Sequence, residues 1–326
     1  VKTQIIPEKK DEEWRYTNKE PLMQKCVEFA TKISISNLKN NKSFTQKNNN
    51  DNIFIYYAAA KFCFMDELPP YIKTLRNSDD QVDVETLLKL DDKKIHSPFT
   101  DLNTLLLSDA LIIETLKNQK IDAIIHIIIC SDIEQNISPR LLIRLRENSS
   151  IRIFEHCHTS NSGVINSLTE INCEKNSQLD YFKIIDEQQN GYYLNLSNIR
   201  LAKNSAFNLF SWDSGAKISR NNINVDLVEE NASVNLNTLF SPYEKLHIDN
   251  QLKIIHIGEK CESSLDYRGI LKDQSTGVFG GSVYIDQEAA NTQSNRTNRN
   301  LLLSDHARIN TKPGLEIYNE DVQCSH

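Results

Sequence analysis

Short apolar–polar alternations recur in the second half of the chain, each opened by a polar residue and a small one. The clearest copy is 148–153 (NSSIRI), and similar units begin at Asn176, Asn204 and Asn231. These four starts are 28, 28 and 27 residues apart. A near-constant period indicates one structural unit stacked on copies of itself, so the pattern predicts a solenoid.

The alternation also assigns each side chain to one of two strand faces. The predicted inward residues are Ile151, Leu179, Phe207, Val234 and Leu265, and the predicted outward residues are Arg152, Asp180, Asn208, Asn235 and Asp266. Less regular copies begin at Glu262 and His306. No helical periodicity separates the units, which argues against βαβ repeats and against a leucine-rich horseshoe.

We therefore predict a mainly β fold, with a right-handed parallel β-helix over residues 110–326. A β-sandwich is the alternative, because it also contains short strands, but it gives no reason for so even a period.

Residues 1–109 lack the repeated strand pattern and are predicted to form a small α/β region. Apolar residues from Leu22 to Ile33 follow helical spacing. Residues 39–52 are polar and low in complexity, which is typical of a loop or insertion. Residues 53–65 are apolar and predict a buried strand or strand pair.

The composition excludes several classes of protein. The 326 residues include 37 Lys and Arg against 44 Asp and Glu, which argues against nucleic-acid binding. Arg296 and Arg299 beside Lys312 are the nearest approach to a basic patch, and we interpret them as solvated turn residues. No apolar run is long enough to span a membrane; the longest, 121–130, resembles a strand.

The seven cysteines lack CxxC spacing, and no secretory signal precedes them. This pattern favours a reducing cytosol, with most cysteines acting as small buried apolar residues. The motifs GxxxxGK[ST], GxSxG and HExxH are also missing, so nothing in the sequence indicates a P-loop ATPase, a serine hydrolase or a zinc protease.

Two groups of residues are candidates for metal chemistry. Cys324 and His326 are two apart, so in a strand they would face the same way and provide half of a metal site. An ordinary turn is the alternative for that pair. In a strand, His156 and His158 would project from one face and Cys157 from the other. We interpret the two histidines as half-exposed strand residues.

Leu301, Leu302 and Leu303 form a continuous apolar run. A strand that is apolar on both faces must be covered on both, either by a partner or by another part of the chain.

An enzymatic alternative rests on Asp266, Arg268 and Asp286. A β-helix lyase or hydrolase acting on carbohydrate places carboxylates and basic residues together on one outer sheet. These three residues are the set in this sequence that suggests such an enzyme.

The end of the chain resembles a known family. Residues 300–304 (NLLLS) and 313–318 (PGLEIY) lead into 321–326 (DVQCSH), and 13–17 (EWRYT) lies near the start. Together they resemble the SufD family of the bacterial SUF iron–sulfur assembly machine. The resemblance implies a β-helix and a non-enzymatic cytoplasmic scaffold subunit that pairs with a SufB-like homologue. It also implies a SufC-like ATPase, bound through a C-terminal helical region.

The resemblance further implies that His326, with Cys324 as a second candidate, is a ligand for iron or a nascent cluster at the partner interface. That interface would include Leu301, Leu302, Leu303, Cys324 and His326. The chain alone is expected to bind no cofactor, while iron or an Fe–S cluster is held transiently in the complex. A homodimer is possible in isolation. Because the chain begins at Val1 and ends after a ligand-type residue, we expect a core fragment without the C-terminal helical region.

Overall fold

Two long sheets make up most of the part of the chain that the structure describes. The computed structural model describes residues 14–30, 51–58, 60–64, 66–77, 97–131, 136–159, 163–186 and 188–325. Its helices are α1 (Glu20–Ala30) and α2 (Pro98–Leu105), with a 3-10 turn at Leu75–Asn77. Within these ranges, no helix has the length and apolar character needed to cross a membrane.

The strands follow in chain order. They are β1 Asn52–Ala58, β2 Lys61–Cys63, β3 Ile72–Thr74, β4 Ala110–Glu114, β5 Lys120–Ser131, β6 Asn136–Ile137, β7 Arg140–Leu145, β8 Ser150–Thr159, β9 Val164–Cys173, β10 Gln178–Ile185, β11 Gln188–Leu201, β12 Ala206–Asp213, β13 Ala216–Leu227, β14 Ser233–Phe240, β15 His247–His256, β16 Glu262–Leu271, β17 Thr276–Ile285, β18 Thr292–Leu302, β19 Arg308–Ile317 and β20 Val322–Ser325.

The chain alternates between the two sheets as it winds. The first sheet has the order β2-β1-β5-β8-β10-β12-β14-β16-β18-β20, and the second has the order β19-β17-β15-β13-β11-β9-β7-β4-β3. Neighbours on successive coils pair in parallel, whereas β1–β2 and β3–β4 are antiparallel. The predicted parallel β-helix is therefore confirmed, with about seven turns. A sandwich of antiparallel sheets is excluded.

The predicted faces of the strands are also confirmed. Ile151, Leu179, Phe207, Val234 and Leu265 are each at most 2% exposed. The five predicted outward residues are half-buried or exposed. Register explains the result, because Leu179 lies between Ile151 and Phe207 in adjacent strands and each inward side chain packs on the one below. This continuous apolar column is the main source of stability in the fold.

Asparagine residues form one corner of the helix. Asn118, Asn148, Asn176, Asn204 and Asn231 all have positive φ, between 55° and 63°. Asparagine tolerates this left-handed conformation better than most residues. The Asn148 amide donates to the Asn118 side chain at 2.8 Å, and Asn176 and Asn204 repeat the contact at 2.8 and 2.9 Å. The repeated Asn in the sequence is thus a corner ladder.

The two weaker copies in the sequence were misplaced. The corner before β16 is Lys260, with φ 56°, and not Glu262. Leu265 therefore pairs with Leu236 and not with Val234, a two-residue shift that leaves it on the predicted face. The copy proposed at His306 is wrong, because that residue precedes β19 in the other sheet.

The true corner of that coil is Asn291, with φ 57°. Two features of the later coils explain these errors. Lys260 also adopts the corner conformation, and the later coils are longer, so the regular Asn signal is lost.

The N-terminal segment is anchored to the outside of the second sheet. The Trp14 ring lies 5.4 Å from that of Phe99, and the Arg220 guanidinium lies 3.8 Å above the Trp14 ring. Arg220 also donates to Asp249, which accepts a second hydrogen bond from the Thr17 hydroxyl. Trp14 thus anchors this segment.

The other N-terminal predictions have mixed outcomes. The predicted helix is confirmed over Glu20–Ala30, and the predicted strand pair is formed by β1 and β2. Ile33 and residues 39–50 of the predicted loop lie outside the described residues. β1 pairs in parallel with β5, so it extends the stack from a position before residue 110.

The interior of the β-helix also contains polar groups. Glu155 and Lys183 form a buried ion pair at 3.0 Å. Burial raises the pKa of Asp213 to about 6, although Ser219 and Asn221 donate to its carboxylate. Burial lowers the pKa of His256 to about 4. Among the cysteines with described side chains, Cys157, Cys173 and Cys261 are buried and Cys63, Cys130 and Cys324 are half-buried.

Replacing Phe207 with Ala should lower the free energy of unfolding by about 3–5 kcal/mol, because it leaves a cavity in the apolar column. Phe210→Ala is the matched control, since Phe210 lies on the same strand and is 49% exposed. Chemical denaturation measures both variants. Equal effects of the two substitutions would contradict the assigned faces.

His256 and Asp213 should make opposite contributions to stability below neutral pH. Between pH 6.5 and about 4 the unfolded chain protonates His256 while the folded chain does not, so stability falls as the pH falls. Between about pH 6 and 3.8 the folded chain holds a proton on Asp213 that the unfolded chain lacks, so this contribution rises.

Denaturation at pH 7 and pH 5 tests this pair. His256→Gln should reduce the loss of stability between the two pH values by about 2 kcal/mol, and Asp213→Asn should increase it by about 1 kcal/mol. Changes of the same sign in both variants would contradict the analysis.

Candidate functional site

The C-terminal end of the β-helix is open. β19 ends one sheet, and β20 ends the other but pairs only with residues 292–295 of β18. Among the described residues, no strand pairs with the outer side of 296–302 or with that of β19. Such edges present unsatisfied N–H and C=O groups to any strand that approaches. Pro313 lies within β19, as expected for a strand at an edge.

The predicted leucine run lies at this end and is uncovered in the described chain. Leu301, Leu302 and Leu303 are 55%, 46% and 54% exposed. The residue below Leu302 in the register is Leu271, which is fully buried. Leu302 therefore continues an apolar column on which no further coil packs.

Two further apolar residues of the last coil, at the end of β19, are also exposed. Ile317 is 41% exposed although its register partner Ile285 is fully buried, and Tyr318 is 60% exposed. We call Leu301, Leu302, Leu303, Ile317 and Tyr318 the terminal apolar surface. Exposed apolar side chains beside open strand edges are typical of a protein-binding site.

Cys324 lies on β20, in register with Ser294 at the start of β18, whereas the leucine run lies at the end of β18. It is half-buried and packs against the main apolar core, whereas the next residue, Ser325, is exposed. Cys324 therefore lies in a strand and not in a turn. His326 lies outside the described residues.

Arg296 occupies the mouth of the β-helix interior, where the sequence predicted a solvated turn residue. It is 8% exposed and pairs in register with the inward-facing Leu265. Its Nη1 donates to the carbonyl oxygens of Gly281 and Gly314, each at 3.0 Å. The prediction was wrong because a charged side chain can occupy an inward position at the end of the β-helix, where it donates hydrogen bonds to backbone carbonyl oxygens. Arg299 and Lys312 are exposed, but in strands.

Arg296 also affects the chemistry of Cys324. Burial raises the pKa of the Cys324 thiol, and the positive charge of Arg296 acts in the opposite direction. The pKa is raised overall, so Arg296 only partly offsets the cost of burying the thiolate, the form that binds metals.

The described residues do not complete a metal site at this end. Among them, no three His, Cys, Asp or Glu side chains are arranged to hold a metal ion. A closed site for zinc or iron needs about four ligands, so Cys324 would require further ligands from outside this set.

The His156-Cys157-His158 segment behaves as the strand pattern predicts. Cys157 is buried, while His156 and His158 are partly exposed on the outer face. The structure adds Asp186, whose Oδ2 lies 2.7 Å from His156 Nε2 and 3.3 Å from His158 Nδ1. Asp186 was not recognised in the sequence as a neighbour of these histidines. The 28-residue period could have identified it, because Asp186 lies one period after His158.

The residues of the enzymatic alternative do not come together. Asp266 accepts a hydrogen bond from Arg268 at 2.7 Å on the outer face of β16. Asp286 follows β17, which belongs to the other sheet. The three residues therefore do not share an outer sheet.

Comparison with known protein families and sequences identifies relatives of this chain. The family model described as SUF system FeS cluster assembly, SufBD core domain, matches residues 128–326. An iron–sulfur cluster assembly SufBD family protein from Synechocystis is 24% identical over 98% of this chain and 75% of its own length.

Two further relatives match a shorter part of the chain. The iron–sulfur cluster assembly protein SufD of Escherichia coli is 29% identical over 56% of this chain and 44% of its own length. The chloroplastic protein ABCI7 of Arabidopsis thaliana is 26% identical over 58% and 41%. The chain thus spans less than half of these two relatives.

Replacing Arg296 with Met should destabilise the last coil, because the carbonyl oxygens of Gly281 and Gly314 lose their donor. We expect faster amide exchange in β19 and a loss of about 1–3 kcal/mol in unfolding free energy. Arg299→Met is the control, because it removes an exposed guanidinium from the same strand. Similar losses in both variants would contradict a capping role for Arg296.

Proposed function

This chain belongs to the SufBD core family of the SUF iron–sulfur cluster assembly system, and we propose that it is a scaffold subunit of that machine without catalytic turnover. The family match carries the proposal, because it covers the coils from β5 to the terminal apolar surface. The separation of Asp266 and Arg268 from Asp286 supports a scaffold over a carbohydrate-active enzyme.

We propose that the terminal apolar surface binds a SufB-like homologue. A second β-helix with a similar open end would supply strands in register with 296–302 and β19, and would bury the exposed leucines. Backbone hydrogen bonds would then give affinity, and the apolar side chains would give specificity. In isolation the same surface would support a homodimer.

The proposal includes an ATPase and a cellular location. A SufC-like ATPase would bind through a helical region and would drive a conformational change at the interface. The machine would act in the cytosol, consistent with free thiols at all six cysteines whose side chains are described.

Iron or a nascent Fe–S cluster is the cargo in this proposal and not a resident cofactor. His326, as a neutral imidazole, would provide a ligand or accept a proton, and Cys324 would be a second candidate ligand. The SufB-like partner would supply the remaining ligands. The chain alone would therefore retain no cluster.

Two substitutions should separate binding from chemistry in a strain that depends on this machine. Leu302→Asp should abolish the complex with the SufB-like partner, because it places a charge in an apolar interface. His326→Ala should leave the complex intact but prevent cluster formation. Pull-down measures assembly, and growth complementation measures cluster formation in cells.

Matched controls complete the test. Leu116→Asp changes a leucine that is 69% exposed but lies far from the open end, and it should not affect the complex. Cys324→Ala should be milder than His326→Ala. Full rescue by His326→Ala would remove the chemical role, and an intact complex with Leu302→Asp would remove the proposed interface.

A further inference from the structure

We propose that residues 14–30 form a strap on the outer face of the second sheet, and that the strap detaches when His247 takes up a proton. The strap consists of the turn at Trp14 and the helix α1. It contributes no strand to either sheet, so its release leaves the stacked coils intact. The inference does not depend on the SUF function.

A polar cluster holds the strap on the sheet. Thr17 Oγ1 lies 2.9 Å from His247 Nε2, and the same hydroxyl donates to Asp249 Oδ2. Asp249 also accepts hydrogen bonds from Arg220 Nη1 at 2.5 Å and from Gln251 Nε2 at 2.6 Å. One hydroxyl of the strap therefore joins an imidazole and a buried carboxylate of the sheet.

This geometry determines the protonation state of His247 in the attached form. The Thr17 hydroxyl has one hydrogen, which it gives to Asp249, so His247 Nε2 must be the donor to Thr17. A further proton would enter at Nδ1 and make the ring a cation. The charged groups that act on this ring are Arg220 on β13 and Asp249 on β15, and its register neighbour on β17 is the neutral Thr276.

The balance of these groups disfavours the cation while the strap is attached. Burial lowers the pKa of His247, Asp249 opposes that shift, and Arg220 adds to it. A histidine whose pKa is lowered only in the attached form takes up its proton more readily in the detached form. As the pH falls below about 6.5, the equilibrium therefore moves towards detachment.

Other buried charges keep the cost of detachment low. Asp249 is fully buried, and the Arg220 guanidinium lies 3.8 Å from the Trp14 ring. Burial of an ion pair costs solvation free energy, which is recovered when water returns. Lys19 is 7% exposed, and its ammonium nitrogen has no hydrogen-bond partner among the described residues. Only the apolar contacts of the strap, centred on Leu22, oppose this gain.

Detachment would uncover an apolar part of the second sheet. Leu22 and Trp14 pack on a cluster of outward side chains there, namely Val164, Tyr192, Leu194 and Ile218. A segment of this kind opens locally at a lower free energy than global unfolding. The strap is thus a pH-dependent cover for this face.

Tryptophan fluorescence tests the strap. Trp14 and Trp212 are the two tryptophans of the chain, so the background variant Trp212→Phe makes Trp14 the reporter. We expect its emission to shift to longer wavelength between pH 7 and pH 5, with the equilibrium constant for opening rising at least about threefold. His247→Gln keeps an N–H donor but does not titrate, so it should abolish the shift. His306→Gln, which removes an exposed histidine at a turn, should retain it.

Amide exchange separates detachment from global unfolding. After correction for intrinsic rates, α1 should exchange faster at pH 5 than at pH 7 while β13 stays protected. Trp14 emission that does not respond to pH would overturn the proposal, as would the same response in His247→Gln. Release of the strap at pH 7 in His247→Gln would also overturn it, because His247 would then be a packing residue. Simultaneous loss of protection in α1 and β13 would show unfolding of the whole chain and contradict a strap.

Discussion

A parallel β-helix satisfies its backbone hydrogen bonds only by stacking one coil on the next. Each strand here has its partners on neighbouring coils, and each inward side chain packs on a residue one coil away. The Asn corner ladder holds successive coils in register through contacts of 2.8–2.9 Å. The same constraint creates the candidate site, because within the described residues no further coil packs on the last one. Leu302 is exposed for this reason, whereas Leu271 below it is buried.

The fold was predictable from sequence where the repeat was regular. Phe207 was placed correctly because residues 206–209 repeat the alternation seen in the other copies. The register failed near Lys260 and Asn291, because a corner accepts more than one residue type and a coil accepts extra residues. Alternation has a period of two residues, so a two-residue error in register still assigned Leu265 to the correct face. Absolute register depends on long-range pairing, which no short pattern encodes.

The candidate site was predictable only in part. The leucine run and Cys324 were visible in the sequence because an uninterrupted apolar segment and a thiol are unusual near a chain end. Arg296 was misread, since its role comes from the carbonyl oxygens of two glycines on other coils. Asp186 was missed for a similar reason, because only the period of the helix brings it to His158. Contacts between coils thus determine the chemistry that local patterns leave open.

Amide hydrogen exchange of the intact protein, alone and with its SufB-like partner, tests the central claim most directly. That claim is that the open end of the β-helix is the partner interface. We expect strong new protection in residues 296–302 and in β19, because these edges would gain backbone partners. Protection confined to the first coils or to the outer faces of the sheets, with no change at the open end, would contradict the account.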